Sequence, residues 1–176
     1  MGCGEMVISE VDQEVYDYDW FAVDKEGHVG HFATGGNGAM PRVVAASRED
    51  LQFVADYFNA QAPSTKATLA PRARKAAEDA DWRTGWTGPP IDTEAAAAHC
   101  FEDFIRMASR GLYSFDHSYA LDHRAIRARP CPLYYRIAIP IKPLHAADLP
   151  VEVRMVLNRV VFAKSDFSHD NELHVE

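Results

Sequence analysis

The segment DWFAVDKEGHVGHFA, residues 19–33, constrains the fold of this chain more than any other stretch. Aromatic and β-branched residues flank the tetrapeptide DKEG, in which Asp is a turn former and Gly can take positive φ. The spacing predicts a β-hairpin. Alternation places Trp20, Ala22 and Asp24 on one side of the first strand and Phe21 and Val23 on the other. On the return strand Val29 and His31 oppose His28, Gly30 and Phe32, so the two histidines point to opposite faces.

The rest of the chain supplies helices and further strands. Ser47 followed three residues later by Asp50 is close to a capping box, and Leu51, Val54, Tyr57 and Phe58 recur at steps of three and four. A helix with one apolar face therefore begins at Ser47 and ends before Pro63. Pro71 opens a short helix through Ala80 whose middle is basic through Arg72, Arg74 and Lys75. The segment IDTEAAAAHCFEDFIRMASRG predicts a longer helix, capped by Asp92 or Thr93, with Ala97, Phe101, Phe104, Ile105 and Ala108 on one face and Gly111 as the stop. LYSFDH, LYYRIAIPI and RVVFAK read as strands, DLPVEVRMVL as a short helix with Pro150 near its first turn, and FSHDNELHVE as an added edge strand.

Two early strands, a helical middle and three or four later strands lack regular βαβ alternation. The expected fold is α+β, a mostly antiparallel sheet of about five to six strands packed with two to four helices. With neither an internal repeat nor an interdomain linker, residues 1–176 are expected to form one domain, residues 1–15 being a flexible acidic segment. A chain of 176 residues can bury roughly 70% of its unfolded surface without a metal or a disulfide.

Charge narrows the classes of partner. Lys and Arg total 18 against 26 Asp and Glu, a formal charge of −8 with a pI near 5.4. That balance disfavours nucleic acid, whose binding rests on neutralising phosphates, and suits a basic protein. Glu5, Glu10, Asp12, Glu14, Asp17, Asp19, Asp24 and Glu26 crowd the first 26 residues with only Lys25 against them, a segment able to steer a cationic partner. Cys3, Cys100 and Cys131 form no CxxC pair and fit a reducing cytoplasm. No run has the apolar length of a membrane span, and MGCGEMVISEVDQEV is too acidic for a signal peptide. Gly2 and Cys3 suggest acylation, but Met6 stands where the myristoylation pattern wants Ser or Thr. Localisation in the cytoplasm, without a membrane partner, is the expectation.

Several residues are chemically capable, each against a plainer role. His28 and His31 have a strand between them, which sends the imidazoles apart rather than toward one metal. Asp116-His117 and Asp122-His123 set a carboxylate beside an imidazole, yet adjacent residues diverge, and Ser114 and Ser118 lack a nucleophile-elbow context. GGNG, residues 35–38, lacks the Lys-Ser/Thr of a phosphate loop and serves equally as a strand exit. Trp82 and Trp86 flank Gly85 in an expected loop, either as binding anchors or as core plugs. Cys100 beside Phe101 reads as an inert buried thiol. No metal or cofactor is expected.

The segments YDYDWFAVDKEGHVGHFATGG, ASREDLQFVADYF and LYYRIAIPIKPLHAADLPVEVR span most of the chain. Together they resemble a family of small bacterial proteins associated with the immunity proteins of polymorphic toxin systems. The resemblance implies a cytoplasmic, non-enzymatic protein that binds a cognate toxin and blocks its active site or substrate entry; it transfers no catalytic residue. An acidic inhibitor associates quickly with a basic toxin, which agrees with the charge. The expected partner-binding residues are Asp17, Asp19, Trp20, Asp24, Glu26, His31, Trp82 and Trp86. The alternative is a small metal-dependent or acid/base hydrolase built on the His117 and His123 loop.

Overall fold

The computed structural model describes residues 7–36, 38–78, 99, 101–117 and 131–175. Its helices are α1 (Glu10–Val15), α2 (Arg42–Ala45), α3 (Arg48–Ala60), α4 (Pro71–Glu78), α5 (Glu102–Ala108) and α6 (Val151–Leu157). Its strands are β1 (Asp19–Asp24), β2 (Val29–Ala33), β3 (Ala67–Leu69), β4 (Tyr113–His117), β5 (Leu133–Pro140), β6 (Val161–Phe162) and β7 (Glu172–His174). The fold is α+β.

One seven-stranded sheet runs in the order β3-β5-β4-β2-β1-β6, with β7 also paired to β5. The sheet is mixed, not mostly antiparallel: β2 pairs parallel with β4, and β1 parallel with β6. Between β2 and β4 the chain passes through α2, α3, α4 and α5, and a connection of that length lets the next central strand return in the same direction. Among the described residues, seven strands and six α-helices also exceed the expected numbers.

The hairpin forms as its sequence predicts, with Phe21 opposite His31 and Val23 opposite Val29. Gly27 makes the turn at φ 87°, and a Cβ there would overlap the His145 ring. That imidazole fixes the turn: Ala147 N–H donates to Nδ1 at 3.1 Å, so Nε2 carries the proton and donates to the Glu26 carbonyl at 2.7 Å. The expected cap of α3 is present, Ser47 Oγ accepting from Asp50 N–H at 3.1 Å. Pro71 opens α4, and Gly111 ends the segment after α5 at φ 95°. The N-terminal half of the long predicted helix lies outside the described residues.

Residues 10–15, expected as part of a flexible segment, are helical instead. Ser9 and Asp12 form a reciprocal capping box, and Ile8, 2% exposed, anchors the helix by donating its N–H to the Ala45 carbonyl at 2.8 Å.

Both faces of the hairpin are covered. On one face Trp20, Phe32 and Phe115 lie opposite one another across three strands, their rings stacked at 4.1 and 4.9 Å. Val44, Leu51, Phe167 and Leu173 close over them. On the other face Phe21, Val23 and Val29 pack with Val54 and Phe58 of α3, Met107 of α5 and Val153 of α6. No helix among the described residues is long and apolar enough to cross a membrane.

Trp20 is wholly buried, and its indole N–H donates to the Tyr134 hydroxyl at 3.2 Å. Trp20→Ala is expected to cost about 3–5 kcal/mol of folding stability in urea denaturation. A variant as stable as the parent would contradict a core position.

Candidate functional site

The expected partner-binding residues divide between the two ends of β1, roughly 17 Å apart at about 3.3 Å per residue. Asp17 and Asp19 stand at its beginning, Asp24 and Glu26 at its end. Trp20, Asp24 and His31 do not reach solvent, being 0%, 2% and 2% exposed, and are corrected from surface to interior positions. The hairpin has cover on both sides, so alternation along it selects between two buried faces rather than between core and solvent. Trp82, Trp86, Asp122 and His123 lie outside the described residues.

At the beginning of β1, side chains from three adjacent strands converge. His31 on β2 faces Ser114 on β4, with Nδ1 2.6 Å from the hydroxyl oxygen. Its Nε2 lies 3.1 Å from Asp19 Oδ1, too far off the N–H axis for a full hydrogen bond. Serine, imidazole and carboxylate in line have the composition of a nucleophile, base and orienting acid. The accessibility is the reverse of what attack on a substrate needs. Ser114 is wholly buried within β4, Phe21 and Phe104 pack beside the imidazole, and only Asp19 reaches solvent. The chain of contacts ties β1, β2 and β4 together. Burial pushes the Asp19 carboxyl up, but the His31 imidazole and the Arg106 charge outweigh it and hold the group below the usual range.

The next row outward holds Asp19, Ala33 and Asp116 side by side. Burial, with the charges of Asp17 and Asp19 nearby, pushes the Asp116 carboxyl up to about 8 against the opposing hydrogen bond from the His117 backbone. His117 belongs to the opposite face, in register with Tyr134. Burial draws its pKa down, with Asp17 opposing. The neighbouring acid and imidazole therefore do not form a pair across one face.

The glycine segment is committed internally. Asp17 Oδ1 accepts from Gly35 N–H at 2.6 Å and from the Thr34 hydroxyl at 3.2 Å, and Gly38 N–H donates to the Thr34 carbonyl at 2.7 Å. A carboxylate thus occupies the position that a phosphate would need. Gly35 and Gly36 take φ of 53° and 72°, and a Cβ on Gly35 would sit 2.5 Å from His117 Nε2.

At the other end of β1, atoms of Asp24, His28 and Asp166 lie within 4.8 Å of one another. The Asp24 carboxylate is already engaged, and His28 Nδ1 lies 3.1 Å from its Oδ2. Asp24 Oδ1 accepts from the N–H groups of Glu26 and His28 at 2.9 and 2.8 Å, and Oδ2 accepts from Phe167 N–H at 2.7 Å. Hydrogen bonding by Ser168, opposed by burial and aided by His169, holds the Asp166 carboxyl down to about 2. The cluster fastens the hairpin turn to the 166–170 loop.

The surface that sequence reasoning missed is α1. Val7, Val11 and Val15 are 63%, 69% and 64% exposed, with Tyr16 following them. Val11 and Val15, four apart, share one face of α1, with Val7 before its N-cap and Tyr16 at its C-cap, a signal legible in VISEVDQEV once Ser9 is seen as a cap. Exposed Glu10, Glu14 and Asp17 accompany this apolar row.

Comparison of the chain with protein-family models, curated proteins and solved structures gives no match.

A carboxyl raised above its unfolded value stabilises the fold below pH 4 and loses that contribution as pH rises through its folded value, here about 8. Chemical denaturation from pH 5 to 9 should show stability falling in the parent and a flatter profile in Asp116→Asn. Parallel profiles would remove Asp116 from the linkage.

Proposed function

We propose that this protein is a non-enzymatic binding module of the immunity type, which neutralises a cognate bacterial toxin in the cytoplasm by direct contact. The observation that carries the proposal is the outward apolar row of α1 set among acidic side chains. Val7, Val11, Val15 and Tyr16 offer dehydratable contact area, and Glu10, Glu14 and Asp17 attract a cationic surface. The helix is held in place before any partner arrives: Ile8 is sunk in the core, and Arg48 lies 3.5 Å from Asp12. Such preorganisation lowers the ordering cost of association. The resemblance of the hairpin segment to immunity-associated bacterial proteins supports the same reading.

Not every acidic residue near the N-terminus is available to a partner. Asp12 caps α1, Asp19 faces His31 and Asp24 secures the hairpin turn. Asp17 is likewise engaged by the Gly35 amide and the Thr34 hydroxyl, so contact centres on Glu10 and Glu14 of α1, with Glu26 at the far end of the hairpin contributing to the long-range field.

The test uses affinity capture from native lysate, followed by expression of the captured protein alone and together with this chain. A stoichiometric partner that is toxic alone and silenced by co-expression is the expected outcome. Glu10→Lys with Glu14→Lys should slow association about tenfold at low salt without lowering the melting temperature. Unchanged association kinetics would remove α1 from the contact, and a captured partner without toxicity would remove the toxin reading.

A further inference from the structure

The Asp19 and His31 side chains meet in a way that an ordinary hydrogen bond does not explain. His31 is 2% exposed, yet its Nε2 has no hydrogen-bond partner among the described residues. A buried ring nitrogen left in that state costs stability unless something else engages it. The atom lies 3.1 Å from Asp19 Oδ1 but off the line that an N–H would take. Two ligand atoms that each lie about 2.0–2.2 Å from one zinc ion stand about 2.9–3.5 Å apart, their lone pairs turned to the metal rather than to each other. The observed pair has that spacing and that misalignment.

The surroundings suit a cation as well. His31 Nδ1 lies 2.6 Å from Ser114 Oγ, the kind of outer contact that fixes an imidazole and leaves its other nitrogen to ligate. Phe21 and Phe104 pack beside the ring, while the Asp19 side chain, 40% exposed, opens the position to solvent. Asp19, Ala33 and Asp116 form one row across the sheet on the His31 face, so only a methyl group stands between the two carboxyls. Asp116 also feels the charges of Asp17 and Asp19. Arg106 opposes them near Asp19, but its own Nη2 donates to Asp103 at 2.9 Å.

We propose that His31 Nε2 and Asp19 Oδ1 bind a divalent ion of the zinc class, with Asp116 supplying charge from across Ala33 and water completing the shell. An imidazole ligand favours zinc and its first-row neighbours over magnesium and calcium, which take oxygen. Asp24, His28 and Asp166 also lie close together, but there the His28 ring is hydrogen-bonded to Asp24 and backbone amides hold the carboxylate. The buried nitrogen without a partner belongs to His31 instead. This site stands apart from the α1 contact, and neither depends on the other.

The test is equilibrium dialysis of the full chain against micromolar Zn²⁺, with bound metal counted by atomic emission, beside ¹⁵N spectra recorded with Zn²⁺ and with paramagnetic Co²⁺. Zinc is expected to bind in a chelator-reversible way that excess Mg²⁺ does not compete with, and Co²⁺ to perturb the Ala33 and Ser114 amides most strongly. Because His31 is a core residue, its part is read without mutation, from the movement of its Nε2 resonance on adding zinc. Asp19→Asn should weaken zinc at least about tenfold, and Asp116→Asn by a smaller factor, each variant melting as a folded protein in chelator. His28→Gln should bind zinc like the parent. No zinc bound, undiminished binding by Asp19→Asn, or an unmoved His31 resonance would overturn the proposal. So would loss of zinc from His28→Gln with Co²⁺ effects centred on the 166–170 loop, which would assign the metal to the Asp24 cluster.

Discussion

A wholly buried indole must find a partner for its N–H, and the rest of the hairpin face follows from how Trp20 does so. Its Nε1 donates to the Tyr134 hydroxyl, which in turn donates to the Ala39 carbonyl at 2.8 Å. One phenol thereby joins the centre of the sheet to the loop that leaves β2. That loop has to approach closely: a Cβ on Gly38 would collide with the Tyr134 hydroxyl, and one on Gly35 with the His117 ring. The glycines are thus explained by packing around two large side chains, and their amides by Asp17 and Thr34. Burial pushes the Tyr134 phenol far up, so the hydroxyl remains a donor under all ordinary conditions.

The polar groups inside the molecule fasten distant segments to this sheet. Arg136 on β5 donates from Nη1 to the Phe167 carbonyl at 2.8 Å and from Nη2 to Asn171 Oδ1 at 2.7 Å. Asp24 meets the same loop from the hairpin side through Phe167 N–H. Phe167 itself packs edge-on against both Phe32 and Phe115, at ring separations of 5.8 and 5.3 Å. The segment after β6 is therefore held by one cation, one carboxylate and one ring. Removing any of the polar partners would strand another in the interior, which costs more than the net value of the lost hydrogen bond.

Much of the local structure was legible in the sequence because its causes are local. Ser47 caps α3, Pro71 opens α4, Gly111 takes positive φ, and the period-two runs became β1, β2, β4 and β5. Strand order was not legible: nothing within Tyr113–His117 reveals that it lies parallel to Val29–Ala33, because that choice belongs to the long helical connection between them. β3 is three residues stabilised by pairing with β5, too short for periodicity to register. The Asp19, His31 and Ser114 group escaped for the same reason as strand order, since 83 residues separate His31 from Ser114 and only the β2–β4 register joins them. Trp20 was misplaced by a different error. A side chain that alternates away from one apolar face is on the solvent side only if the sheet has a solvent side.

That error bears on how charge should be counted. The formal excess of acidic residues in the first 26 positions treats each carboxylate as a surface charge. In the fold, Asp12 faces Arg48, Asp19 faces His31, and Asp24 is enclosed by backbone amides, so part of the excess is spent inside the structure. Glu10 and Glu14 on α1 present the remainder beside the exposed side chains of Val11 and Val15. A charged partner responds to where these carboxylates stand more than to the net value of −8, because at physiological salt the field of each decays within about 8 Å. A single net charge therefore does not describe the surface that a partner meets.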